Sequence, residues 1–369
     1  RLAPSFIDKF QVLPVTEMTL STASLALGAL AEQVGRDGRL TFEPEAISRI
    51  TRLYDRFQPY KKLPGSAAGA VYQLADEAKQ NNKTTVTPQD VLRRFLEETG
   101  LPEWLLRDEE TVQFEDVVQE LGKSVIGQRS ACELAARSIV RFKAGMNHPG
   151  RPIGSMLFCG PTGVGKTQLA KTMTDYLFGG RFIKSQAGTS KSPTQLVRLD
   201  MSEYATPWSA QRIVEKDDGR PSDFIEQIRR HPFSVVLLDE IEKAAPEVFD
   251  MLLALLDEGR LTDRLGRTTN FESTVIIMTS NLGANNEGST GFASGESSAH
   301  LRAVREFFRP EFFNRIDATV QFSPLNHDVC RLIVKKELES VSQRSGMRER
   351  GLSFLPTDAL IEHLIDVGF

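Results

Sequence analysis

The chain reads as an α/β protein in three layers, a parallel sheet with helices on both faces, preceded by a helical subdomain and followed by the start of a helical lid. Three observations predict this. Four apolar runs, SMLFC (155 to 159), LVRLD (196 to 200), SVVLLD (234 to 239) and STVIIMTS (273 to 280), alternate with helical patterns, the order that builds a covered parallel sheet. The N-terminal part carries helical spacing instead. Leu25, Leu27, Leu30 and Val34 stand among alanines in residues 22 to 35, and AAGAVYQLADEAKQ repeats the habit over 67 to 80. Ligands of such sheets bind at the carboxyl ends of the strands, and the chemically suggestive motifs below fall there.

Taken in order, the next element is announced by Thr87-Pro88-Gln89-Asp90, a capping Thr with Pro at the first helical position, followed by VLRRFLEE. Gly100-Leu101-Pro102 ends that helix. The text EWLLRDEETVQFED is acidic and mixed, so residues 99–118 are expected to connect domains rather than to enter a core. Four parts result: a helical subdomain over 1–98, this linker, an α/β domain over 119–324, and the beginning of a small helical subdomain over 325–369.

The 369 residues are 40% hydrophobic and 25% charged, an ordinary globular composition with length for two or three domains. A net charge of −4 and a pI near 5.9 exert no pull toward nucleic acid or an anionic membrane, so neither is expected as a partner. Cys132, Cys159 and Cys330 form no CxxC pair. They suggest neither a disulfide framework nor zinc, and fit a reducing cytoplasm. No apolar run approaches the roughly 20 residues that span a bilayer, and Arg-Leu-Ala-Pro opens no signal pattern, so a soluble protein is expected. The first residue is Arg1 and the text stops at Phe369 straight after a helical pattern, which reads as a piece excised from something longer.

SMLFC runs into Gly160-Pro161-Thr162-Gly163-Val164-Gly165-Lys166-Thr167 and then into the helical stretch QLAKTMTDYLF. Glycines here let successive backbone N–H groups turn inward as a nest for phosphate oxygens. Lys166 then reaches the outer phosphates, and the Thr167 hydroxyl can ligate magnesium. The bland alternative is a glycine-rich strand-to-helix turn. Further on, Val235 to Leu238 lead into Asp239 and Glu240, two adjacent acids that can divide two tasks. Asp239 would hold Mg2+ through its water shell, and Glu240 would polarise the water attacking the terminal phosphate of ATP. Otherwise both acids merely favour the helix N-terminus that follows. Asn281 ends the next strand, placed either to orient that water or to make a turn. In FRPEFFNRID, Arg309 and Arg315 offer a cation for a phosphate across a subunit boundary, or a surface pair of Arg315 with Asp317.

Together GPTGVGKT, LDMSEY, VVLLDEIEKA, GRLTDRLGR, IIMTSNLG and FRPEFFNRID resemble the Clp class of AAA+ ATPases, the unfoldases and disaggregases, densely over residues 119 to 325. The α/β part resembles the second module of a two-module Clp protein. Residues 1–98 are similar, more loosely, to the small subdomain closing the first module, without the long coiled-coil insertion of the disaggregase branch. The resemblance implies a phosphate and magnesium role for Lys166 and Thr167, and a magnesium and water role for Asp239 and Glu240. It also implies a sensor role for Asn281, an arginine finger in Arg315, and adenine contact from Val125, Ile126 and Gly127. It implies a homo-oligomer, a hexamer, acting on a protein substrate or adaptor.

Three departures stand out. The family's Gly-Tyr-Val-Gly gripping loop is replaced by the shorter residues 213 to 223, which carry no aromatic. Residues 179 to 195 form an extra polar loop. The family's Gly-Ala-Arg segment lies past Phe369. The first departure keeps open a second function, an ATP-controlled assembly switch that threads no chain. A clamp-loader role would want a basic stripe with stacking aromatics, which the sequence does not present. Thr290-Gly291-Phe292 is a near-match to the tripeptide that docks a ClpP-type peptidase; a solvated loop is the other reading.

Overall fold

Residues 18–58, 61–107, 111–178, 195–283, 296–342 and 356–368 are described by the structure, a computed structural model. Two units divide the chain, Arg1–Phe95 and Leu96–Phe369. Residues 179 to 194 of the extra loop and Thr290-Gly291-Phe292 lie outside the described residues.

The first unit packs α1 (Leu20–Gly38), α2 (Pro44–Phe57), α3 (Gly65–Gln80) and the beginning of α4 (Pro88–Thr99) around a short parallel pair, β1 (Thr41–Phe42) and β2 (Thr85–Val86). Thr19 caps α1, its Oγ1 accepting the Thr22 N–H at 3.3 Å. Spacing of four then buries Ala23, Leu27 and Ala31, whereas Leu25, expected on the apolar stripe, points to solvent at 76% exposure. Leu27, Ile50, Val71 and Phe95 are sealed, each worth about 1.5–3 kcal/mol of burial. The Phe95 ring meets Tyr54 edge-on at 5.3 Å. The cap of α4 is reciprocal: the Asp90 N–H donates to Thr87 Oγ1 at 3.3 Å and the Thr87 N–H to Asp90 Oδ2 at 3.1 Å.

The second unit holds β3 (Gly154–Cys159), β4 (Leu196–Asp200), β5 (Ser234–Asp239), β8 (Thr274–Ser280) and β9 (Ala318–Gln321) in one parallel sheet of order β4-β5-β8-β3-β9. Every residue of β3, β5 and β8 is buried, as the unbroken apolar runs demand of strands covered on both faces. Cys159 lies opposite Ser280 and Leu238 opposite Met278, so three neighbouring strand tips end level. Three helices follow those strands or their loops: α5 (Lys166–Phe178), α6 (Asp223–Arg230) and α7 (Pro246–Glu258). A hairpin of β6 (Arg260–Thr262) and β7 (Thr268–Asn270) stands beside them. The His327–Ser342 and Asp358–Gly368 helices share a small core of Cys330, Val334, Ile361 and Ile365.

Within the stretch 99–118, three adjacent residues enter a core. A short helix, Glu103–Leu106, buries Trp104, Leu105 and Leu106, and Trp104 meets Tyr176 edge-on at 5.7 Å. Lys143 Nζ donates to the Trp104 carbonyl at 2.6 Å. Three adjacent apolar side chains outweigh the acidic text around them, so this segment belongs to a core. The shortened loop forms a tight turn with Glu215 bridged to Pro221. It is fastened to the β6–β7 hairpin by Arg264 Nε on Glu215 Oε1 at 3.1 Å and by Arg267 Nη2 on the Gly219 carbonyl at 2.6 Å.

Candidate functional site

The glycines of the loop after β3 take backbone forms closed to other residues, with φ of +150° at Gly160, +83° at Gly163 and +103° at Gly165. Gly160 is also sterically fixed, because a Cβ there would stand 2.6 Å from the Phe322 carbonyl oxygen. Gly163 has open space instead, the condition for backbone N–H groups to approach a ligand. The loop opens a cavity of about 400 Å³ lined by Thr162, Gly163, Gly165, Lys166, Thr167, Arg198, Asp239, Glu240, Thr279 and Asn281. Four separate segments of chain meet there; Lys166, Thr167, Asp239, Glu240 and Asn281 are brought together, while Gly160, Pro161 and Val164 of the loop do not line the cavity.

Lys166 spends two of its three donors inside the loop, on the carbonyls of Gly160 (2.5 Å) and Pro161 (2.7 Å), and the third on Asn281 Oδ1 (2.7 Å) at the tip of β8. Burial pushes its ammonium down to about 8, opposed by the charges of Glu242, Asp239 and Glu240. Asn281 passes the network on, its Nδ2 donating to Glu240 Oε1 at 3.2 Å. Glu240 itself sits in the left-handed region, φ 55° and ψ 54°, a conformation costing a non-glycine residue about 1–3 kcal/mol. The kink turns its carboxylate out of the strand direction toward Asn281. Burial in an apolar setting also raises the Cys159 thiol to about 12, so that sulfur is inert packing beneath the loop.

Sequence reasoning overlooked four partners. Thr279 Oγ1 accepts the Glu240 N–H at 3.0 Å and donates to Asp239 Oδ1. Arg198 Nη2 lies 2.6 Å from Asp239 Oδ2, and Lys243 Nζ lies 2.5 Å from Glu240 Oε2. Glu242 Oε1 accepts the Asn281 backbone N–H at 3.0 Å. A polar Thr breaking the apolar run of β8, and a third acid inside DEIEKA, were the available signals.

Val125, Ile126 and Gly127 lie beside the loop: Val125 Cγ1 would touch a Cβ on Gly165 at 3.6 Å, and Gln128 Nε2 donates to the carbonyls of Val164 (3.3 Å) and Ser323 (2.8 Å). Arg315 is not part of this cavity. The alternative reading, a pair with Asp317, is not what forms, since Arg315 Nε reaches Asp257 at 2.8 Å while Asp317 Oδ2 accepts the Ser155 N–H at 2.8 Å. Arg309 pairs with Asp250 at 3.2 Å. Among the described residues no group of three or more His, Cys, Asp or Glu is disposed to hold a metal by itself, and no helix is long and apolar enough to cross a membrane.

Residues 151–319 match the family described as AAA domain (Cdc48 subfamily). The chaperone protein ClpB of Vibrio vulnificus (strain YJ016) is 37% identical over 355 residues, covering 92% of this chain and 39% of that protein. The ATP-dependent Clp protease ATP-binding subunit ClpE of Lactococcus lactis subsp. lactis (strain IL1403) is 37% identical over 302 residues, 79% of this chain and 38% of that protein. Among solved structures, the extended conformation of the S. cerevisiae Hsp104:casein complex is similar with a TM-score of 0.78 and 27% identity, covering 99% of this chain and 63% of that chain. The chain spans about two fifths of the length of the curated relatives it matches.

Proposed function

The chain belongs to the Clp family of AAA+ ATPases, and from that premise we propose that it binds ATP with magnesium, hydrolyses it, and remodels protein partners as one subunit of a hexameric ring. The hydrogen-bonded line Lys166–Asn281–Glu240, drawn across the tips of β3, β8 and β5, is the observation that carries the reading. A basic group for phosphate, a neutral amide and a carboxylate in that order suit in-line attack by water on a terminal phosphate, where positioning and charge stabilisation supply the catalysis.

The Gly160 to Thr167 backbone would cradle the phosphates, with Lys166 exchanging its carbonyl partners for phosphate oxygens. The Thr167 hydroxyl and the Asp239 carboxylate are oxygen donors of the kind magnesium takes, and they fit it. Asp239 Oδ2 faces Arg198, which leaves this acid to act through the water shell of the ion. Bound magnesium would neutralise charge on the phosphates. Glu240 accepts the proton of the attacking water and Asn281 fixes its direction. Val125, Ile126 and Gly127 would border the adenine. Arg315, lying outside its own subunit's cavity, would serve a neighbour's phosphate. The division at 1–98, 99–118, 119–324 and 325–369 is the module plan we propose, with Glu103–Leu106 of the connecting stretch packed against Tyr176 of the α/β part, and a cytoplasmic setting suits it.

Casein in the Hsp104 structure and the chaperone names of the relatives support a protein substrate or adaptor. The non-threading switch finds no support in these comparisons. The test is ATP-dependent unfolding of a tagged reporter by the complete protein, with ring formation followed by electron microscopy. Reporter unfolding with rings present is expected; rings that hydrolyse ATP but leave every reporter folded would refute the remodelling claim.

A further inference from the structure

Three carboxylates converge on the tips of β5 and β8, and the third has no part in the roles above. Glu242 follows Glu240 by two positions, in the single 3₁₀ turn Ile241–Lys243. In a continuing strand, positions two apart would share one direction. The left-handed kink at Glu240 breaks that repeat, so the two acids reach opposite ends of the same residue. Glu240 Oε1 accepts from the Asn281 side-chain Nδ2 at 3.2 Å, and Glu242 Oε1 accepts from the Asn281 backbone N–H at 3.0 Å.

Asn281 is therefore held from both sides. Its peptide sits where β8 has ended, beyond Ser280, so no ladder bond of that strand secures this N–H. Glu242 takes the place of a strand neighbour. The other oxygen, Oε2, is buried and has no hydrogen-bond partner among the described residues. A half-buried carboxylate with one oxygen unpaired is a costly arrangement, and such exceptions call for an explanation. The nearby Lys166 ammonium supplies one, since Glu242 is the carboxylate that most favours its charge.

We propose that Glu242 is a positioning residue of the phosphate site, which fixes Asn281 through its backbone N–H and thereby aims the Asn281 amide between Lys166 and Glu240. This rests on the ATPase reading. Glu242 is assigned no direct action on the phosphate or the attacking water; it acts through Asn281. Removing it would let the tip of β8 drift, and the amide would lose its direction while the phosphate loop kept its own form.

The experiment measures steady-state ATP turnover and melting temperature for the complete protein carrying Glu242→Met, Glu242→Gln or Asn281→Ala, and the combination of Glu242→Met with Asn281→Ala. Glu240→Gln serves as the control for turnover at this site. Met keeps the length and lacks the acceptor; Gln keeps one acceptor oxygen. Glu242→Met is expected to lower kcat about tenfold with KM changed less than about threefold, the size of effect typical of outer-shell partners. Glu242→Gln should recover kcat to within about twofold of wild type. In the Asn281→Ala background Glu242→Met should cost nothing further, because both act through one group. Should Glu242→Met fail to fold, Glu242→Asp, which withdraws the carboxylate by one methylene, is judged by the same criteria.

Wild-type kcat in Glu242→Met, equal impairment of the Gln and Met variants, or full additivity with Asn281→Ala would each overturn the assignment while leaving the ATPase reading intact. Absence of turnover in wild type, or turnover untouched by Glu240→Gln, would overturn the reading and this inference together.

Discussion

Thr279→Val replaces one hydroxyl by a methyl of nearly the same size, and its consequences can be worked out atom by atom. Thr279 is almost fully buried in β8, where its Oγ1 accepts the Glu240 N–H at 3.0 Å and donates to Asp239 Oδ1. Valine satisfies neither. A buried N–H left unpaired costs about 1–3 kcal/mol, and a lost hydrogen bond to a carboxylate about 1.5–3 kcal/mol. Asp239 keeps Arg198 on its other oxygen, so partial relaxation brings the expected net loss to about 3 kcal/mol. For a unit of this size each kcal/mol moves the melting temperature by about 2–4 °C, which predicts a fall of roughly 6–12 °C. Turnover should fall too, by at least about tenfold, because the kinked Glu240 loses the bond that fixes its backbone. Differential scanning calorimetry and a coupled ATPase assay measure both, with Thr279→Ser as the variant that keeps the hydroxyl. A Thr279→Val protein melting within about 1 °C of wild type, or Thr279→Ser as damaged as Thr279→Val, would refute the reasoning.

Gly160→Ala should cost about 3 kcal/mol, since its Cβ meets a backbone carbonyl oxygen at 2.6 Å, whereas Gly163→Ala should cost only the strain of its φ, about 1–2 kcal/mol; chemical denaturation ranks them. The Lys166 ammonium titrates near 8, and phosphate charge beside it favours the protonated form. ATP binding should accordingly take up protons near pH 8 and weaken as pH rises further, read by calorimetry in buffers of different ionisation heat; affinity constant from pH 7 to 9.5 contradicts this. Arg315→Ala should lower turnover more than ATP affinity, and mixing it with Glu240→Gln subunits should restore part of the activity, because intact sites form at one class of interface. No recovery in verified mixed rings would count against action on a neighbour.

The strands that carry the site were legible because each is a mainly apolar run: Asp239 ends β5, Glu240 and Asn281 directly follow β5 and β8, and Lys166 opens the helix after the loop that follows β3. Their mutual order was legible only as motif order. What escaped were side chains whose roles depend on a second strand. Thr279 reads in sequence as an ordinary β-former, and its two hydrogen bonds, one accepted from Glu240 and one donated to Asp239, exist only because β5 and β8 are neighbours. Glu242 required the left-handed kink at Glu240, which no local preference announces. β9 and the β1–β2 pair are too short for periodicity, with bounds Ala318–Gln321, Thr41–Phe42 and Thr85–Val86. Arg315 was weighed against Asp317, two positions away, although its partner Asp257 comes from the end of α7. Surface pairing is set by tertiary approach, not by adjacency in the chain.

The central claim, that Lys166 serves ground-state phosphate binding and Glu240 serves the attacking water, is tested most directly by measuring nucleotide affinity and turnover side by side in Lys166→Ala and Glu240→Gln. Lys166 supplies charge already in the bound complex, while Glu240 contributes only as water attacks. The expected result is loss of detectable ATP binding in Lys166→Ala, and in Glu240→Gln affinity close to wild type with turnover reduced by at least about a hundredfold. Turnover at the wild-type rate in Glu240→Gln, or unaltered ATP affinity in Lys166→Ala, would contradict the account.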